Sequence, residues 1–195
     1  MTNRIGDAYR SHDLKHEGVV DQGQYGMAPY VTYNGLTSYS HRPSVALRGI
    51  DGLTAGGWFR TLASGFLMGV WVESLDRCWK LGTNVNNQPV FSVSNDGSLS
   101  FSVTGSIIPD ATWTHIVGRY TLSTDISIFI NGAKTSFTSP SVPTQLYTTA
   151  AEFMVGGNGS EFLNGRASMA FMSALPLADN YISLIYQLSR KTFNV

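Results

Sequence analysis

The sequence predicts an all-β protein: an antiparallel β-sandwich with a short C-terminal helix and an extended N-terminal arm. From residue 30 onward, short runs rich in β-branched and aromatic residues alternate with Gly, Asn, Asp, Ser and Pro positions, a spacing typical of antiparallel sandwiches. The run 126–130 ends in Asn131-Gly132, a dipeptide that accepts the positive φ angles of a tight hairpin turn. Charged residues make up only 13% of the 195-residue chain, which suits a sheet-rich domain with many turns.

The individual elements follow from the position of each apolar run. After Pro176, apolar residues at helical spacing predict a helix over 177–190, and 47–51 predicts a brief turn. The segment 136–149 contains two prolines and predicts a long loop or an edge element. Predicted strands are 30–33, 38–42, 53–60, 65–72, 78–84, 88–94, 98–104, 113–120, 125–130, 152–155 and 167–173.

The first 24 residues differ from the rest because they carry many charges and few large apolar groups. Such a segment cannot bury enough surface to order itself alone. We therefore predict two regions, an arm over 1–24 and a sandwich domain over 25–195. The arm is expected to order against a partner subunit through Arg4, Tyr9, Arg10 and Lys15; a frayed or locally packed terminus is the alternative.

Bulk charge and cysteine content exclude several function classes. Thirteen basic and thirteen acidic residues give zero net charge, so no field attracts nucleic acid or an anionic membrane. The lone Cys78 encodes neither a disulfide framework nor a zinc site. No apolar run is long enough to span a membrane, and the first residues do not resemble a signal peptide.

Five segments occur in an order that resembles the laminin G-like, or concanavalin A-like, jelly-roll family. The hairpin W-T-H-I-V-G-R-Y followed by I-S-I-F-I-N-G is the most specific of them. The others are Y-N-G-L-T-S-Y at 33–39, L-T-A-G-G-W-F-R at 53–60, F-M-V-G-G-N with F-L-N-G-R-A at 153–167, and L-P-L-A-D-N-Y-I at 175–182. The resemblance implies a jelly-roll sandwich used mostly to bind surfaces and sugars.

Departures from the family pattern bear on metals and catalysis. Where many relatives carry an acidic residue after the Phe-x-Gly turn, this chain reads Arg166-Ala-Ser-Met169, so we expect no cofactor, and a bound Ca²⁺ ion is the alternative. Glycoside hydrolysis needs two facing carboxylates, and the scattered acidic residues offer no such pattern. His115 alone does not make a triad. The chain is expected not to be an enzyme.

Aromatic and amide side chains on strands and rim loops are the candidates for ligand binding. Sugars are held by ring stacking and by hydrogen bonds to their hydroxyls, and protein interfaces use the same residue types. Trp58 and Trp113 fall in core-strand segments and are expected to pack internally. The candidate ligand-binding residues are Trp71, Trp79, Tyr39, Tyr147 and Asn158.

Function is predicted from these features together. The first hypothesis is a non-enzymatic virion structural protein, a bacteriophage capsid decoration or tail-associated protein, located in the virion and present as a homo-oligomer or as repeated copies among other virion subunits. A free carbohydrate-binding module or lectin is the alternative, and a glycan-cleaving enzyme is the third. A glycan is the possible ligand, and neither nucleic acid nor a membrane is an expected partner.

Overall fold

The computed structural model describes residues 14–18, 20–43, 52–73, 76–137 and 142–195. Within these ranges, fourteen strands form two seven-stranded antiparallel sheets, which confirms the predicted sandwich. Sheet A contains, in spatial order, β1 (Lys15–Glu17), β4 (Tyr39–Arg42), β13 (Phe153–Val155), β6 (Gly65–Val72), β7 (Asp76–Thr83), β8 (Pro89–Gly97) and β9 (Phe101–Thr104). Sheet B contains β12 (Ala133–Phe137), β11 (Asp125–Ile130), β10 (Thr114–Thr121), β5 (Gly52–Thr61), β14 (Asn164–Ser173), β3 (Ala28–Asn34) and β2 (Asp21–Tyr25).

The main core lies between the two sheets and follows from the period-2 alternation of strands. Leu53, Ala55 and Phe59 alternate along β5 and are fully buried in this core. Each large apolar side chain buried there stabilises the fold by about 1.5–3 kcal/mol. The opposite face of β5 carries Trp58, which belongs to a separate cluster on the outside of sheet B.

A C-terminal helix, α1 (Asp179–Ser189), covers the outer face of sheet B and continues into a 3-10 turn. Trp58 stacks on Phe193 at 4.3 Å between ring centroids, and its Nε1 donates to Ser189 Oγ at 2.9 Å. Ile182 packs against Val117 and Phe129 farther along the helix. The predicted helix is thereby confirmed.

His115 lies under this helix, with its ring 5.3 Å from Trp58 and 5.9 Å from Tyr186. Among the described residues, neither ring nitrogen has a hydrogen-bond partner. Burial lowers the pKa of His115 from its usual 6.5 to about 4. The ring is therefore neutral near pH 7 and serves packing.

The hairpin between β11 and β12 has the predicted tight turn. Asn131 and Gly132 have φ angles of 50° and 81°, and Ile130 pairs with Ala133 across the two-residue loop. Two positive φ angles are the signature of a type I′ turn, which matches strand twist. The strand after this turn occupies 133–137, so the loop predicted from residue 136 begins later than expected.

The N-terminal boundary differs from the prediction. Residues 15–17 form β1 against β4, and 21–25 form β2 against β3, so both short strands belong to the sandwich. Polar sequence did not prevent this because edge strands gain backbone hydrogen bonds with little apolar burial. Lys15 therefore lies in a sheet, opposite His41, whereas Arg4, Tyr9, Arg10 and the predicted turn at 47–51 lie outside the described residues.

Candidate functional site

The outer faces of the two sheets differ in whether a helix covers them. The helix of the described chain packs on sheet B, and the outer face of sheet A has no helix over it in the same ranges. We call the outward side chains of sheet A, with the loop residues that contact them, the open face. Its centre is an aromatic cluster formed by Phe66, Trp71 and Met154, with Tyr39 packed at its side.

Trp71 is the middle of the open face, and charged groups surround its ring. Its Nε1 donates to Glu73 Oε1 at 2.8 Å. The Arg77 guanidinium and the Lys80 ammonium lie 5.5 and 5.3 Å from the ring centroid, within cation–π range. These cations cover the ring, and Trp71 is only 3% exposed. The ring therefore supports the charged groups above it and offers little surface of its own to a ligand.

Lys80 holds two carboxylates at the surface of this cluster. Its Nζ donates to Glu161 Oε2 at 2.8 Å and lies 3.6 Å from Glu73 Oε1. Arg77 Nη2 donates to Glu73 Oε2 at 2.7 Å. Burial by itself raises the pKa of Glu73, but the hydrogen bonds from Trp71 and Arg77 and the charges of Lys80 and Arg77 outweigh it and hold the pKa below its usual value.

The chemistry of this arrangement follows from the protonation state. A glycosidase acid needs a raised pKa so that it carries a proton at neutral pH. Glu73 has the opposite shift and stays ionised. The carboxylates, cations and hydroxyls of the open face can therefore accept and donate hydrogen bonds to a ligand, and Glu73 cannot supply a proton to a leaving group.

A second polar group lies farther along the same face. His41 of β4 donates from Nδ1 to Glu152 Oε2 at 2.6 Å, and its Nε2 lies 3.4 Å from Glu17 Oε1. The Tyr39 ring is 5.4 Å from the His41 ring. This group fastens β1 to β4 and to the residue before β13.

The structure brings three of the predicted ligand-binding residues into one region. Tyr39 and Trp71 share the aromatic cluster. Asn158 lies in the loop between β13 and β14. Its Oδ1 accepts hydrogen bonds from the backbone N–H groups of Ser160 and Glu161 at 3.1 and 2.8 Å. The amide thereby shapes the turn that presents Glu161 to Lys80, and its own side chain is buried.

Trp79 and Tyr147 are placed differently. Trp79 is 0% exposed in the core, with its ring 6.1 Å from that of Phe153, so it offers no surface to a ligand in this structure. Trp79 and Leu81 alternate with Lys80 in the regularly paired part of β7, and both apolar side chains lie in the core. Tyr147 is half-buried in the loop after β12, where its backbone N–H donates to Ser94 O at 2.8 Å.

Sequence reasoning missed the charged residues that join the open face, above all Lys80, Arg77 and His41. Lys80 lies between the buried Trp79 and the buried Leu81, and a charge flanked by two large apolar residues is the signal that could have singled it out. Its partner Glu161 is 81 residues away, which no local pattern reveals.

The described residues offer neither a metal site nor a membrane-spanning helix. They contain no group of three or more His, Cys, Asp or Glu side chains placed to hold a metal ion. No helix in the same ranges is long and apolar enough to cross a membrane.

Comparison with known proteins places the chain in a family. Residues 34–170 match Laminin_G_3, described as the concanavalin A-like lectin/glucanases superfamily. The match covers most of the chain, so this protein belongs to that superfamily, and the resemblance seen in the sequence is confirmed. No curated protein sequence matches the chain significantly.

Solved structures share the fold at low sequence identity. The binding domain of botulinum neurotoxin serotype G aligns with a TM-score of 0.71 and 12% identity over 92% of this chain and 47% of that chain. The binding domain of botulinum neurotoxin DC in complex with SialylT aligns with a TM-score of 0.68 and 11% identity over 90% and 46%. The botulinum neurotoxin serotype C1 binding domain gives a TM-score of 0.68 and 11% identity over 90% and 47%. This chain thus spans less than half the length of these neighbours, and the likeness shows a jelly-roll, lectin-like fold.

Proposed function

We propose that this chain is a non-enzymatic binding protein whose open face takes a carbohydrate, and that it is displayed in repeated copies as a bacteriophage capsid decoration or tail-associated protein. The observation that carries the binding function is the Trp71 cluster with its ring of paired charges: Glu73 and Glu161 share the Lys80 ammonium. The botulinum neurotoxin DC binding domain in complex with SialylT, which has the same fold, supports a sugar as the ligand.

Ligand recognition on this face is polar and weak for each copy. Tyr39 is partly exposed beside the cluster and provides aromatic ring surface on which the apolar side of a sugar can stack. Lys80 and Glu161 provide a donor and an acceptor for hydroxyls. Because cations and carboxylates pair with one another here, a neutral polyhydroxylated ligand fits better than a strongly charged one. Repeated copies would raise the avidity by roughly 10² to 10⁴.

The absence of catalysis is part of the proposal. Hydrolysis needs one protonated and one ionised carboxyl group, and the salt bridges of the open face hold Glu73 in its ionised form. The purified chain should therefore release no reducing sugar from a glycan panel. Turnover that disappears in Glu161→Gln would overturn this part.

Binding is tested with the whole chain on a multivalent glycan array. Tyr39→Ala should lower the apparent affinity for any bound glycan by at least about tenfold, because a stacking ring is lost. The matched control is Tyr30→Ala, since Tyr30 lies on the outer face of sheet B under the Arg166 guanidinium. No glycan binding by the multivalent wild type, or an equal loss in both variants with both folded, would contradict the proposal.

The virion role is supported by the charged sequence that precedes β1, with Arg4, Asp7, Arg10 and Asp13, which suits ordering on a neighbouring subunit; β1 and β2 themselves pair within the sandwich. An antibody against the chain should detect it in the particle fraction of a density gradient of source lysate. Recovery only among free proteins would refute the virion role and leave the alternative, a free carbohydrate-binding module, which the open face also fits.

A further inference from the structure

Two arginines lie directly opposite each other on the outer face of sheet B. Arg60 of β5 pairs with Arg166 of β14 in the antiparallel register, and both are partly exposed. Their chain neighbours Phe59 and Ala167 point into the core, so strand alternation turns both arginines outward. The Cβ atoms of opposite residues are about 4.5–5.5 Å apart, so one bound group can reach both guanidinium groups.

The charges of this pair are not neutralised within the described part of the chain. Arg77 and Arg119 each hold a carboxylate, but no ion pair or side-chain hydrogen bond between described residues involves Arg60 or Arg166. The acidic residue in the same row of the sheet is Asp21, two strands beyond Arg166 and thus about 10 Å away. Like charges placed directly opposite each other destabilise a sheet, and a bound anion would remove that repulsion.

Arg166 is held in place by aromatic rings beneath it. Its Cζ lies 4.6 Å from the centroid of the Tyr30 ring, which is itself 6.1 Å from the Trp113 ring. The Tyr30 ring lies against the backbone of Gly23, where a Cβ would be 2.4 Å from Tyr30 Cζ. A guanidinium stacked on an aromatic ring keeps its N–H donors free for a ligand, so this cation is positioned before a ligand arrives.

Two buried polar groups beside the arginines also lack a hydrogen-bond partner among the residues that the structure describes. Thr32 lies directly opposite Arg166 on the side away from Arg60, and its Oγ1 is unpaired. The Nε1 of Trp113 is unpaired as well. A hydroxyl and an indole N–H can both donate hydrogen bonds, so positive charge and donors coincide in this part of sheet B.

We propose that Arg60 and Arg166 form a binding site for a phosphoryl group, either free phosphate or a phosphate monoester. Two fixed cations match the charge of such a group, which is about −1.5 to −2 at pH 7. Its several oxygens can accept from both guanidinium groups at once, whereas a carboxylate has one charge and two oxygens, which a single arginine satisfies. The site lies on the other sheet from the open face, and the proposal does not depend on the function of that face.

An NMR titration of the full chain at constant ionic strength tests the site, with inorganic phosphate and glucose 6-phosphate as probes. Saturable amide shifts should appear around residues 60 and 166, and Arg60→Gln and Arg166→Gln should each raise the dissociation constant at least about tenfold. Arg166→Lys keeps the charge but loses the planar fork, so it should raise the constant about threefold or more. Lys15→Gln is the matched control, because it removes one exposed positive charge from sheet A and should leave binding unchanged. The tighter of the two probes shows whether the ligand is an ester or the free ion.

Thermal melts give a second measurement. In chloride buffer, Arg60→Gln should melt no lower than the wild type, because it removes the repulsion between like charges. Phosphate should raise the Tm of the wild type and not that of Arg60→Gln, since a ligand stabilises the folded state that binds it. The absence of a saturable shift with either probe, or an equal loss of binding in Arg166→Gln and Lys15→Gln, would overturn the proposal. Acetate that binds as tightly as phosphate would also overturn it, and would assign the pair to a carboxylate.

Discussion

The outer face of sheet A and the outer face of sheet B belong to the same sandwich but have opposite characters. On sheet B, Trp58, Trp113 and Phe193 form an aromatic cluster that α1 and the 3-10 turn seal from water. On sheet A, the cluster around Trp71 is covered by Lys80 and Arg77. The covered face therefore stabilises the fold, and the open face is where a ligand has access.

The ion pairs on the two faces also differ in burial and in what they do. Under the helix, Arg119 donates to the Leu177 carbonyl at 3.0 Å and pairs with Asp179, so it fastens the start of α1. On the open face, the pairs of Lys80 lie at the surface, with Glu161 side chain 43% exposed. Buried pairs cost much when one partner is removed, whereas exposed pairs contribute little.

The largest expected effect is on the covered face. Trp58→Ala should lower the free energy of unfolding by about 3–5 kcal/mol, because it removes a fully buried ring and the contact with Phe193. Tyr39→Ala on the open face should cost about 1 kcal/mol, since its ring is already partly in water. Urea unfolding of both variants measures the difference, and equal losses would mean that the two faces do not differ as described.

Acid should weaken the covered face first. The pKa of His115 is lowered to about 4 in the fold from its usual 6.5, so the unfolded chain binds a proton first as the pH falls. The stability contribution of the neutral ring is present above pH 6.5 and is lost between about pH 6.5 and 4, by up to about 3 kcal/mol. His115→Leu should have a flatter stability profile over this range in urea unfolding; an unchanged slope would contradict the assignment.

The hairpin turn beside α1 should show an intermediate effect. Gly132→Val should destabilise the fold by roughly 1–2 kcal/mol or more. The φ of +81° at this position strains a β-branched residue, and the added Cβ would lie 3.2 Å from Tyr186 Cδ1. Gly159→Val is the control: its φ is +88°, with nothing within 4 Å of the added Cβ, so only the backbone term applies. Thermal melts compare them, and a smaller shift for Gly132→Val than for Gly159→Val would count against the packing of the helix on this turn.

The smallest effect is expected on the open face. Lys80→Met should change stability by no more than about 1 kcal/mol, because surface ion pairs contribute little, but it should raise the pKa of Glu73. In the wild type the stabilisation from Glu73 is present above its usual pKa of 4.5 and is lost as the pH falls, and the variant should lose less of it. An NMR titration of the Glu73 carboxyl group checks the direction; a fall in this pKa would contradict the ion-pair geometry.

Several elements could be predicted because their signals are local. The strands 65–72 and 125–130 agree with the prediction to the residue, since alternation and Asn-Gly turn chemistry act within a few positions. The helix after Pro176 was predicted within two residues at each end. The polar strands β1, β2 and β12 were missed, because edge pairing relies on backbone hydrogen bonds that leave no apolar pattern.

The candidate site was predicted only in part. Tyr39 and Trp71 do share one face, and Asn158 shapes the loop beside them, but Trp79 lies in the core. Trp79 and Leu81 lie on the core side of β7 and Lys80 on the outer side, and the alternation alone does not say which of the two sets faces inward. The sequence analysis did not predict Arg77, Lys80 and His41, whose ion pairs link neighbouring strands and loops of the open face.

The sequence by itself therefore determined the fold class, the family, the tight turn and the closing helix, because the patterns that indicate them lie in residues near one another in the chain. Only the tertiary structure decided which outer face is sealed and which remains open. Lys80 reaches Glu161 across 81 positions and His41 reaches Glu152 across 111. Such partners meet because the order of strands in the sheet brings distant parts of the chain side by side. The residue pattern of one strand does not specify which strand lies next to it.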